Sequence, residues 1–217
     1  MTEKIIFVVN DLKEFQCKTY IKKYLSNVDY TVKTSFPKDT SKYHLVILWN
    51  YRKIIKNIVD KNKIILFHSS DLPKGKGWAP IYNAIYNEDK YYIISGIFAA
   101  NKVDSGDIII QAKFRIRPNY TAKYLRKLDD EISIMMIKKI LKKFKNKKIE
   151  GKKQKGKSTY YKRRKLEDNE LKGKKIINHL RACEKHHPAF FYYKKEKFIV
   201  TIHPENPPTF PSDLQII

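Results

Sequence analysis

Apolar and polar positions follow two different periods along the first half of the chain. Residues 4–9, "KIIFVV", form a continuous apolar run, which is typical of a strand covered on both faces. Phe15, Tyr20, Tyr24 and Leu25 instead recur at about 3.6 residues, as on one face of a helix. Continued in this way, the pattern predicts strands over 4–9, 30–36, 44–50 and 63–67, with helices after the first strand and over 52–62. This order predicts an α/β fold with a Rossmann-like, doubly wound, mostly parallel sheet and flanking helices.

In the second half of the chain the regular alternation of strands and helices ends, and a small C-terminal region is predicted. A helix over 79–87 precedes two strands, over 91–100 and 107–116, which residues 101–106 join. A long amphipathic helix is predicted over 121–146, with its apolar face made of Leu125, Leu128, Ile132, Met135, Met136, Ile140 and Phe144. A helix over 171–185, a β-hairpin over 189–202 with "KKEK" as its turn, and a proline-rich surface tail follow. We therefore expect a core over 1–146, a mobile basic linker over 147–160 and a helix–hairpin extension over 161–217.

The charge of the chain favours a polyanionic partner, but its composition offers a simpler cause. The 217 residues carry a formal net charge of +24. Arginine, the better bidentate ligand of phosphate, supplies only seven of the 46 basic side chains. Lysine, isoleucine and asparagine abound, as an AT-rich coding sequence produces. Codon bias therefore explains the charge, and polyanion binding stays an alternative.

Cysteine and hydropathy patterns favour a cytoplasmic protein without membrane insertion. Cys17 and Cys183 lie far apart, which fits reduced thiols better than a disulfide framework. No apolar run reaches the roughly 20 residues that span a bilayer. The apolar run near the N-terminus is too short for a signal peptide.

The stretch "HSSDLPKGKGWAP", residues 68–80, directly follows the predicted fourth strand. It matches neither of the two glycine patterns that bind nucleotide phosphates, so its glycines indicate backbone freedom and close approach to a ligand. His68 lies at the carboxyl end of a strand, where doubly wound sheets bind ligands, and is a candidate for acid–base work. Asp104 in "VDSGDI" could meet His68 across the tips of neighbouring strands. The alternatives are a histidine bonded within its loop and an aspartate that caps a turn.

A zinc site is a second chemistry to weigh. His179, Cys183, His186 and His187 form a compact cluster, and the first two lie four residues apart on a predicted helix. No complementary ligand pair follows at a suitable spacing. A partly buried helix end explains the cluster better, and we expect no metal.

Two segments resemble a known family. "FHSSDLPKGKGWAPI" and "VDSGDI" are similar to the signature segments of the formyltransferases that use N10-formyltetrahydrofolate, and the segments after residue 160 most resemble the sugar N-formyltransferases. The resemblance implies that His68 and Asp104 are catalytic. It also implies a formyl-donor site; its residues would be Trp49, Asn50, Tyr51, Ile54, Leu72, Lys74 and Gly77.

The chain departs from this family at one position. The family carries a catalytic asparagine two residues before its histidine, and Leu66 stands there instead. Leucine cannot donate a hydrogen bond to the formyl oxygen, and loss of such a donor typically costs about 100- to 1,000-fold in rate. Asn101 and Asn50 are the candidates to replace it.

The resemblance also implies an acceptor. Sugar N-formyltransferases act on amino sugars linked to a nucleotide, and Lys162, Arg163 and Arg164 could meet the diphosphate. Ser70 and Trp78 are the further substrate-binding candidates. The methionyl-tRNA enzymes carry an additional β-barrel domain for which this chain is too short, so we expect no nucleic-acid partner, and a homodimer stays open. Another small amine as acceptor, or a degenerate folate- or polyanion-binding protein, are the alternatives, because of Leu66.

Overall fold

The computed structural model describes residues 3–53, 55, 61–143, 145, 147–171 and 175–217. These residues form eleven strands and four α-helices. In chain order they are β1 (Glu3–Val8), α1 (Lys18–Tyr24), β2 (Val28–Lys33), β3 (Leu45–Leu48), β4 (Ile64–His68), β5 (Lys76–Gly77), α2 (Pro80–Tyr86), β6 (Tyr91–Phe98), β7 (Ile108–Arg115), α3 (Ala122–Lys143), β8 (Tyr160–Tyr161), α4 (Ile176–Ala182), β9 (Ala189–Tyr193), β10 (Glu196–Val200) and β11 (Gln215–Ile216).

A mixed, mostly parallel sheet organises the described residues. Its seven strands lie in the order β11-β7-β6-β4-β3-β1-β2. Strands β2, β1, β3 and β4 are mutually parallel, whereas β6 pairs antiparallel with β4, β7 with β6, and β11 with β7. Strands β6 and β11 therefore run against the other five. The predicted Rossmann-like fold is confirmed.

Strand β1 shows why a continuous apolar run lies in the middle of this sheet. Ile5 and Phe7 belong to the larger hydrophobic core, and Ile6 and Val8 belong to a smaller core. Successive side chains of a strand point to opposite faces, so each face of the sheet buries one pair. All four side chains are fully enclosed.

Helix α3 supplies the largest share of the helical packing. Its predicted apolar face is confirmed at Leu125, Leu128, Ile132, Met136 and Ile140, which are all buried. The helix contacts β6, β7 and α1. Met135 is half-buried, and Phe144 lies outside the described residues. The helix predicted over 52–62 falls largely on residues 54 and 56–60, which also lie outside them, so it stays a prediction.

Two C-terminal expectations differ from the structure. Residues 147–160, expected as a mobile linker, lie against the core: the backbone of Lys152 exchanges two hydrogen bonds with that of Ile108, each 2.8 Å long. The tail was expected to follow the surface, but β11 adds an edge strand to the sheet. Backbone pairing of this kind needs no apolar side-chain pattern, so periodicity did not predict it.

Of the remaining C-terminal elements, the helix is shorter than predicted and the hairpin is present as predicted. Helix α4 covers seven residues of the predicted 171–185, because Cys183 already has an extended backbone. The predicted hairpin is present as β9 and β10, and Lys194 and Lys195 turn the chain with positive φ angles of 45° and 69°. Of the helices that the described residues form, none has an apolar stretch suited to crossing a bilayer.

Candidate active site

His68 is the last residue of β4 and is 8% exposed. Its ring faces an acceptor at each nitrogen. Nε2 lies 2.8 Å from the carbonyl oxygen of Gly75, and Nδ1 lies 3.6 Å from Oδ2 of Asp104. The first contact is a hydrogen bond, whereas the second is an ion-pair distance that exceeds one. The structure thus brings the two predicted catalytic side chains together.

Asp104 reaches His68 by a path that the sequence did not indicate. Strand β6 is antiparallel to β4, with His68 beside Ser95 and Ile65 beside Phe98. The loop that carries Asp104 therefore leaves β6 at the far end of β4 and must return along it by about 10 Å. Asp104 does not approach across neighbouring strand tips. Its backbone adopts the left-handed region with φ of 48°, and its Oδ2 accepts a 2.8 Å hydrogen bond from Gly77 N.

The glycines of the 68–80 loop accommodate the chain itself, not only a ligand. Gly77 has a φ of 90°, and a Cβ added there would lie 2.6 Å from the carbonyl oxygen of Tyr161. A Cβ on Gly75 would lie 2.9 Å from the Tyr161 ring. Strand β8 pairs with β5 at these positions. The group that approaches these glycines in the structure is β8, and their predicted close approach to a ligand stays a prediction.

A carboxylate that the sequence analysis missed lies on the other side of β4. Asp129 of α3 accepts hydrogen bonds from the hydroxyls of Ser69, Tyr92 and Ser133, the one from Tyr92 being 2.5 Å long. Burial raises the pKa of Asp129, and the bonds from Ser69 and Tyr92 lower it. Ser69 directly follows His68, so Asp129 anchors the start of the loop. Position 129 falls on the apolar face of α3, four residues after Leu125, and an acid at an apolar position is the signal that marks it.

A second carboxylate lies beside this anchor. Burial and, to a smaller extent, the charge of Asp129 raise the pKa of Asp130 to about 7, against the opposing effect of Arg126. Arg126 is itself paired with Glu184, at 3.0 Å. Asp129, Asp130 and Arg126 line a cavity of about 40 Å³ at the carboxyl ends of β3 and β4, together with Asn50 and Phe67.

The predicted donor-binding residues occupy different environments. Trp49 and Leu72 are buried, and Trp49 packs among the rings of Phe7, Phe15 and Phe67. Asn50 and Lys74 are exposed, Tyr51 is half-buried, and Ile54 lies outside the described residues. The exposed Asn50 has a left-handed backbone with φ of 51°. Roles in donor binding stay predictions for this set.

The predicted substrate-binding residues lie around the loop, with one exception. Ser70 Oγ is buried without a hydrogen-bond partner in the described structure. Trp78 is 39% exposed, and the guanidinium of Arg163 lies 5.0 Å from its ring centre. Lys162 is exposed. Arg164 instead stacks on the Tyr82 ring at 3.4 Å and donates to Asn169, so its guanidinium already binds protein groups.

Neither proposed substitute for the missing asparagine lies near the His68 ring in the contacts the structure shows. Asn101 is exposed in the loop before Asp104, and the backbone carbonyl oxygen of Asn50 accepts a 2.6 Å hydrogen bond from the side-chain amide of Asn10. Leu66 shares the face of β4 with His68 and packs against the smaller core. Asn101 as a catalytic residue therefore stays a prediction without a supporting contact.

The histidine–cysteine cluster has a structural explanation. His179 is fully buried, its Nδ1 lies 2.7 Å from the Tyr82 hydroxyl, and its Nε2 lies 3.0 Å from the Asn169 carbonyl. Cys183 Sγ is 3.6 Å from the same ring. Within the described part of the chain, no three His, Cys, Asp or Glu side chains are grouped to hold a metal ion.

Comparison with known proteins assigns the fold and the paired side chains to a family. The family model described as "Formyl transferase" matches residues 21–140, which is more than half of the 217-residue chain and includes both His68 and Asp104. The chain belongs to the formyl transferase family. The matched range includes both segments on which the sequence resemblance rests.

Two kinds of relative emerge within the family. The methionyl-tRNA formyltransferase of Helicobacter pylori (strain P12) is 35% identical over 118 residues, which cover 51% of this chain and 38% of that protein. The chain thus spans about two fifths of this curated relative's length. Among solved structures, the methionyl-tRNA formyltransferase from Clostridium thermocellum has a TM-score of 0.74 and 23% identity, covering 99% of both chains.

A sugar enzyme shares the fold as well. The N-formyltransferase from Helicobacter canadensis, solved in complex with folinic acid and dTDP-3-aminofucose, has a TM-score of 0.64 and 21% identity. The match covers 90% of this chain and 85% of that one. At these identities the two structural matches establish the fold that the three proteins share.

Proposed function

We propose that the chain transfers a formyl group from N10-formyltetrahydrofolate to the amine of a nucleotide-linked amino sugar. The observation that supports this most is the pairing of His68 with Asp104 at 3.6 Å, at the carboxyl end of β4. Family membership supplies the reaction class, because the matched segment contains both residues.

The reaction sets three requirements for this chain. The amine nitrogen of the acceptor forms a bond to the formyl carbon, the bond from that carbon to N10 breaks, and one proton passes from the attacking to the leaving nitrogen. Negative charge develops on the formyl oxygen during the transfer. The site must hold the amine close to the carbon, stabilise the oxygen and carry the proton.

His68 and Asp104 can meet two of these requirements. Asp104 is an acceptor beside the imidazole and can take the proton of the attacking amine directly or through water. The imidazole can donate to the developing oxyanion from Nε2, which now donates to the Gly75 carbonyl. The formyl oxygen must therefore replace that carbonyl as the partner of Nε2.

Groups at the carboxyl ends of β3 and β4 match the chemistry of a folate. A folate carries a flat polar ring, and its tail is acidic. Asn50 presents an exposed amide, Tyr51 a half-buried ring and Lys74 an exposed cation. Trp49 is buried, and its backbone N–H donates to the Val8 carbonyl and so already has a partner. When bound, the donor would supply the formyl carbon.

Two classes of acceptor compete. The Helicobacter canadensis structure, bound to dTDP-3-aminofucose, supports a nucleotide-linked amino sugar. The methionyl-tRNA formyltransferases, at 35% identity, support an aminoacyl-tRNA. Lys162 and Arg163 are exposed, and Arg163 lies beside the Trp78 ring, a combination suited to a base or sugar ring and a diphosphate. We therefore favour the nucleotide-linked sugar.

One assay separates these possibilities. The protein is incubated with N10-formyltetrahydrofolate and a panel of acceptors: nucleotide-linked amino sugars, methionyl-tRNA and glycinamide ribonucleotide. Mass spectrometry then detects the gain of one formyl group. We expect product from an amino sugar and its loss in His68→Ala. Product from methionyl-tRNA alone would show that the acceptor is an aminoacyl-tRNA and not a nucleotide-linked sugar. Folate binding without any product would indicate a degenerate binding protein.

Three further expectations stay predictions. They are a homodimer, a cytoplasmic location and the absence of a nucleic-acid partner. Size-exclusion chromatography with light scattering tests the first, and the tRNA arm of the acceptor panel tests the last.

A further inference from the structure

Residues 151–161, here called the strap, contact both loops of the candidate site although they carry no apolar periodicity. The strap begins with the backbone bridge between Lys152 and Ile108 and ends in β8. Between these points, Thr159 Oγ1 accepts a 2.8 Å hydrogen bond from Gly75 N, and Thr159 O accepts one from Lys76 N at 3.0 Å. The strap therefore joins the His68 loop to the Asp104 loop.

Gln154 makes the contact with the Asp104 loop. One atom of its side-chain amide lies 2.8 Å from the carbonyl oxygen of Asp104 and 2.8 Å from that of Gly106. Both partners are acceptors, so that atom must be the nitrogen, and each of its two hydrogens has one partner. The other atom, Oε1, is buried without a partner in the described structure. The two donated bonds fix the orientation of the side-chain amide. They do so although burying the unbonded oxygen costs free energy.

The turn that Gln154 contacts is strained and has little room to rearrange. Asp104 is not glycine, yet it has a φ of 48°. A left-handed backbone costs a non-glycine residue about 1–2 kcal/mol. Gly106 cannot be replaced in place, because a Cβ there would lie 1.8 Å from the carbonyl oxygen of Phe98. The two carbonyls that bracket this turn both point to the Gln154 amide.

We infer that Gln154 is a positioning residue for Asp104 in the proposed formyl transfer. It acts through the backbone: with both carbonyls held, the left-handed turn directs the carboxylate to Gly77 N, at 2.8 Å, and towards His68. The inference rests on the proposed function for its catalytic consequence. Its structural part, that Gln154 fixes the Asp104 carboxylate, is independent of the reaction.

The sharpest test is Gln154→Glu, which keeps the shape and replaces the donor by a second acceptor. Its carboxylate would face two carbonyl oxygens, so the turn should relax and Asp104 should leave His68. We expect kcat to fall about 10- to 100-fold with both KM values nearly unchanged, because the residue touches neither substrate. Lowering the pH should restore part of the activity relative to wild type, since a protonated carboxyl donates one hydrogen bond.

A matched control lies one residue away. Lys155 is exposed on the strap, so Lys155→Gln changes the charge of the segment without touching the turn. We expect wild-type kcat and an unfolding temperature within about 2 °C of wild type from Lys155→Gln. Gln154→Glu should unfold a few degrees lower, because it loses both donated bonds, so its kcat is measured at a temperature where it is folded. Equal losses in Gln154→Glu and Lys155→Gln would overturn the inference, as would a wild-type kcat in Gln154→Glu.

A second measurement needs no activity. Hydrogen exchange of the Gly77 amide, followed by NMR, reports whether the Asp104 carboxylate still accepts its hydrogen bond. We expect exchange to be at least about 10-fold faster in Gln154→Glu than in wild type or Lys155→Gln. Unchanged protection would overturn the inference even if the wild-type protein transfers formyl groups. Faster exchange in a wild-type protein that formylates no acceptor would support the positioning and reject the proposed function.

Discussion

His68, the last residue of β4, and Ser69, which directly follows it, each contact a carboxylate, and the two carboxylates are held differently. On one side His68 lies 3.6 Å from Asp104, whose carboxylate also accepts a hydrogen bond from the backbone N–H of Gly77. On the other side the neighbouring Ser69 donates to Asp129, which also accepts bonds from the hydroxyls of Tyr92 and Ser133.

The difference separates a carboxylate suited to chemistry from one suited to anchoring. Three hydroxyl donors hold Asp129, so a change of its protonation disturbs several bonds at once. Asp104 has one backbone donor and faces an imidazole that can exchange a proton. The last residue of β4 and the residue after it therefore divide the two tasks, because their side chains contact different carboxylates.

Matched substitutions of the two carboxylates by amides give the strongest test of the difference between Asp104 and Asp129. Asp104→Asn removes the charge that faces His68 but keeps an oxygen acceptor for Gly77 N, and asparagine tolerates a left-handed backbone. We expect kcat to fall about 1,000-fold, with little change in unfolding temperature. Three hydroxyls donate to the Asp129 carboxylate, and Asp129→Asn replaces one of its two acceptor oxygens by an amide nitrogen. This change should destabilise the protein by about 1–3 kcal/mol.

Steady-state kinetics and thermal denaturation of both variants decide this point. Asp129→Asn should retain kcat within about 10-fold of wild type at a temperature where it is folded. If it loses as much kcat as Asp104→Asn while remaining stable, the division between the two sides is wrong.

Substitutions at Leu66 test which group stabilises the formyl oxygen beside His68. It lies two residues before His68 and so on the same face of β4, where the family resemblance places an asparagine. Leu66→Asn should raise kcat about 10- to 100-fold, because it restores a donor for the formyl oxygen. Leu66→Ala, which removes the leucine without adding a donor, is the control. Equal rates in the two variants would show that another group already stabilises the oxygen.

Gly77 tests how far the catalytic side depends on the strap. Gly77 and Gly156 both have positive φ, of 90° and 106°, but a Cβ on Gly77 would meet Tyr161 O at 2.6 Å whereas one on Gly156 would meet nothing within 4 Å. Alanine at either site costs about 1 kcal/mol of backbone strain. Only Gly77→Ala should separate β5 from β8, and we expect it to lower kcat about 10-fold. If Gly156→Ala lowers kcat as much, backbone strain and not contact with the strap is the cause.

The parts of this site that the sequence predicted are those whose side chains carry the information. Strand β4 follows from its apolar run, and His68 and Asp104 follow from their segments, "FHSSDLPKGKGWAPI" and "VDSGDI". The strap did not follow, because Lys152 and Thr159 dock through backbone groups that every residue possesses. Its lysines indicate only that these side chains face water.

The direction of β6 is a further feature that was not predicted. The sequence indicated that β6 and β7 are strands but not that β6 runs against β4, so the return path of the Asp104 loop was not predicted. Asp129 was predictable in principle, because an acid interrupts the apolar face of α3 between Leu125 and Ile132. Its partners, Ser69 and Tyr92, come from distant parts of the chain and carry no such signal.

The smallest expected effect concerns stability on the anchoring side. Burial and the charge of Asp129 raise the pKa of Asp130 to about 7, well above the value of about 3.9 in an unfolded chain. Between about pH 4 and pH 7 the folded chain therefore binds more protons at this carboxyl, so its contribution to the free energy of unfolding falls as pH rises. Asp130→Asn removes that loss.

We expect Asp130→Asn to be more stable than wild type by about 1–3 kcal/mol at pH 8 and equal to it near about pH 3, where the carboxyl is largely protonated in both states. Urea denaturation at about pH 3, 6 and 8 measures the difference. Arg126 attracts the Asp130 charge but is paired with Glu184 at 3.0 Å, which limits the compensation it provides. A variant less stable than wild type at pH 8 would mean that Arg126 gains more from Asp130 than burial costs, and both acids would then be anchors.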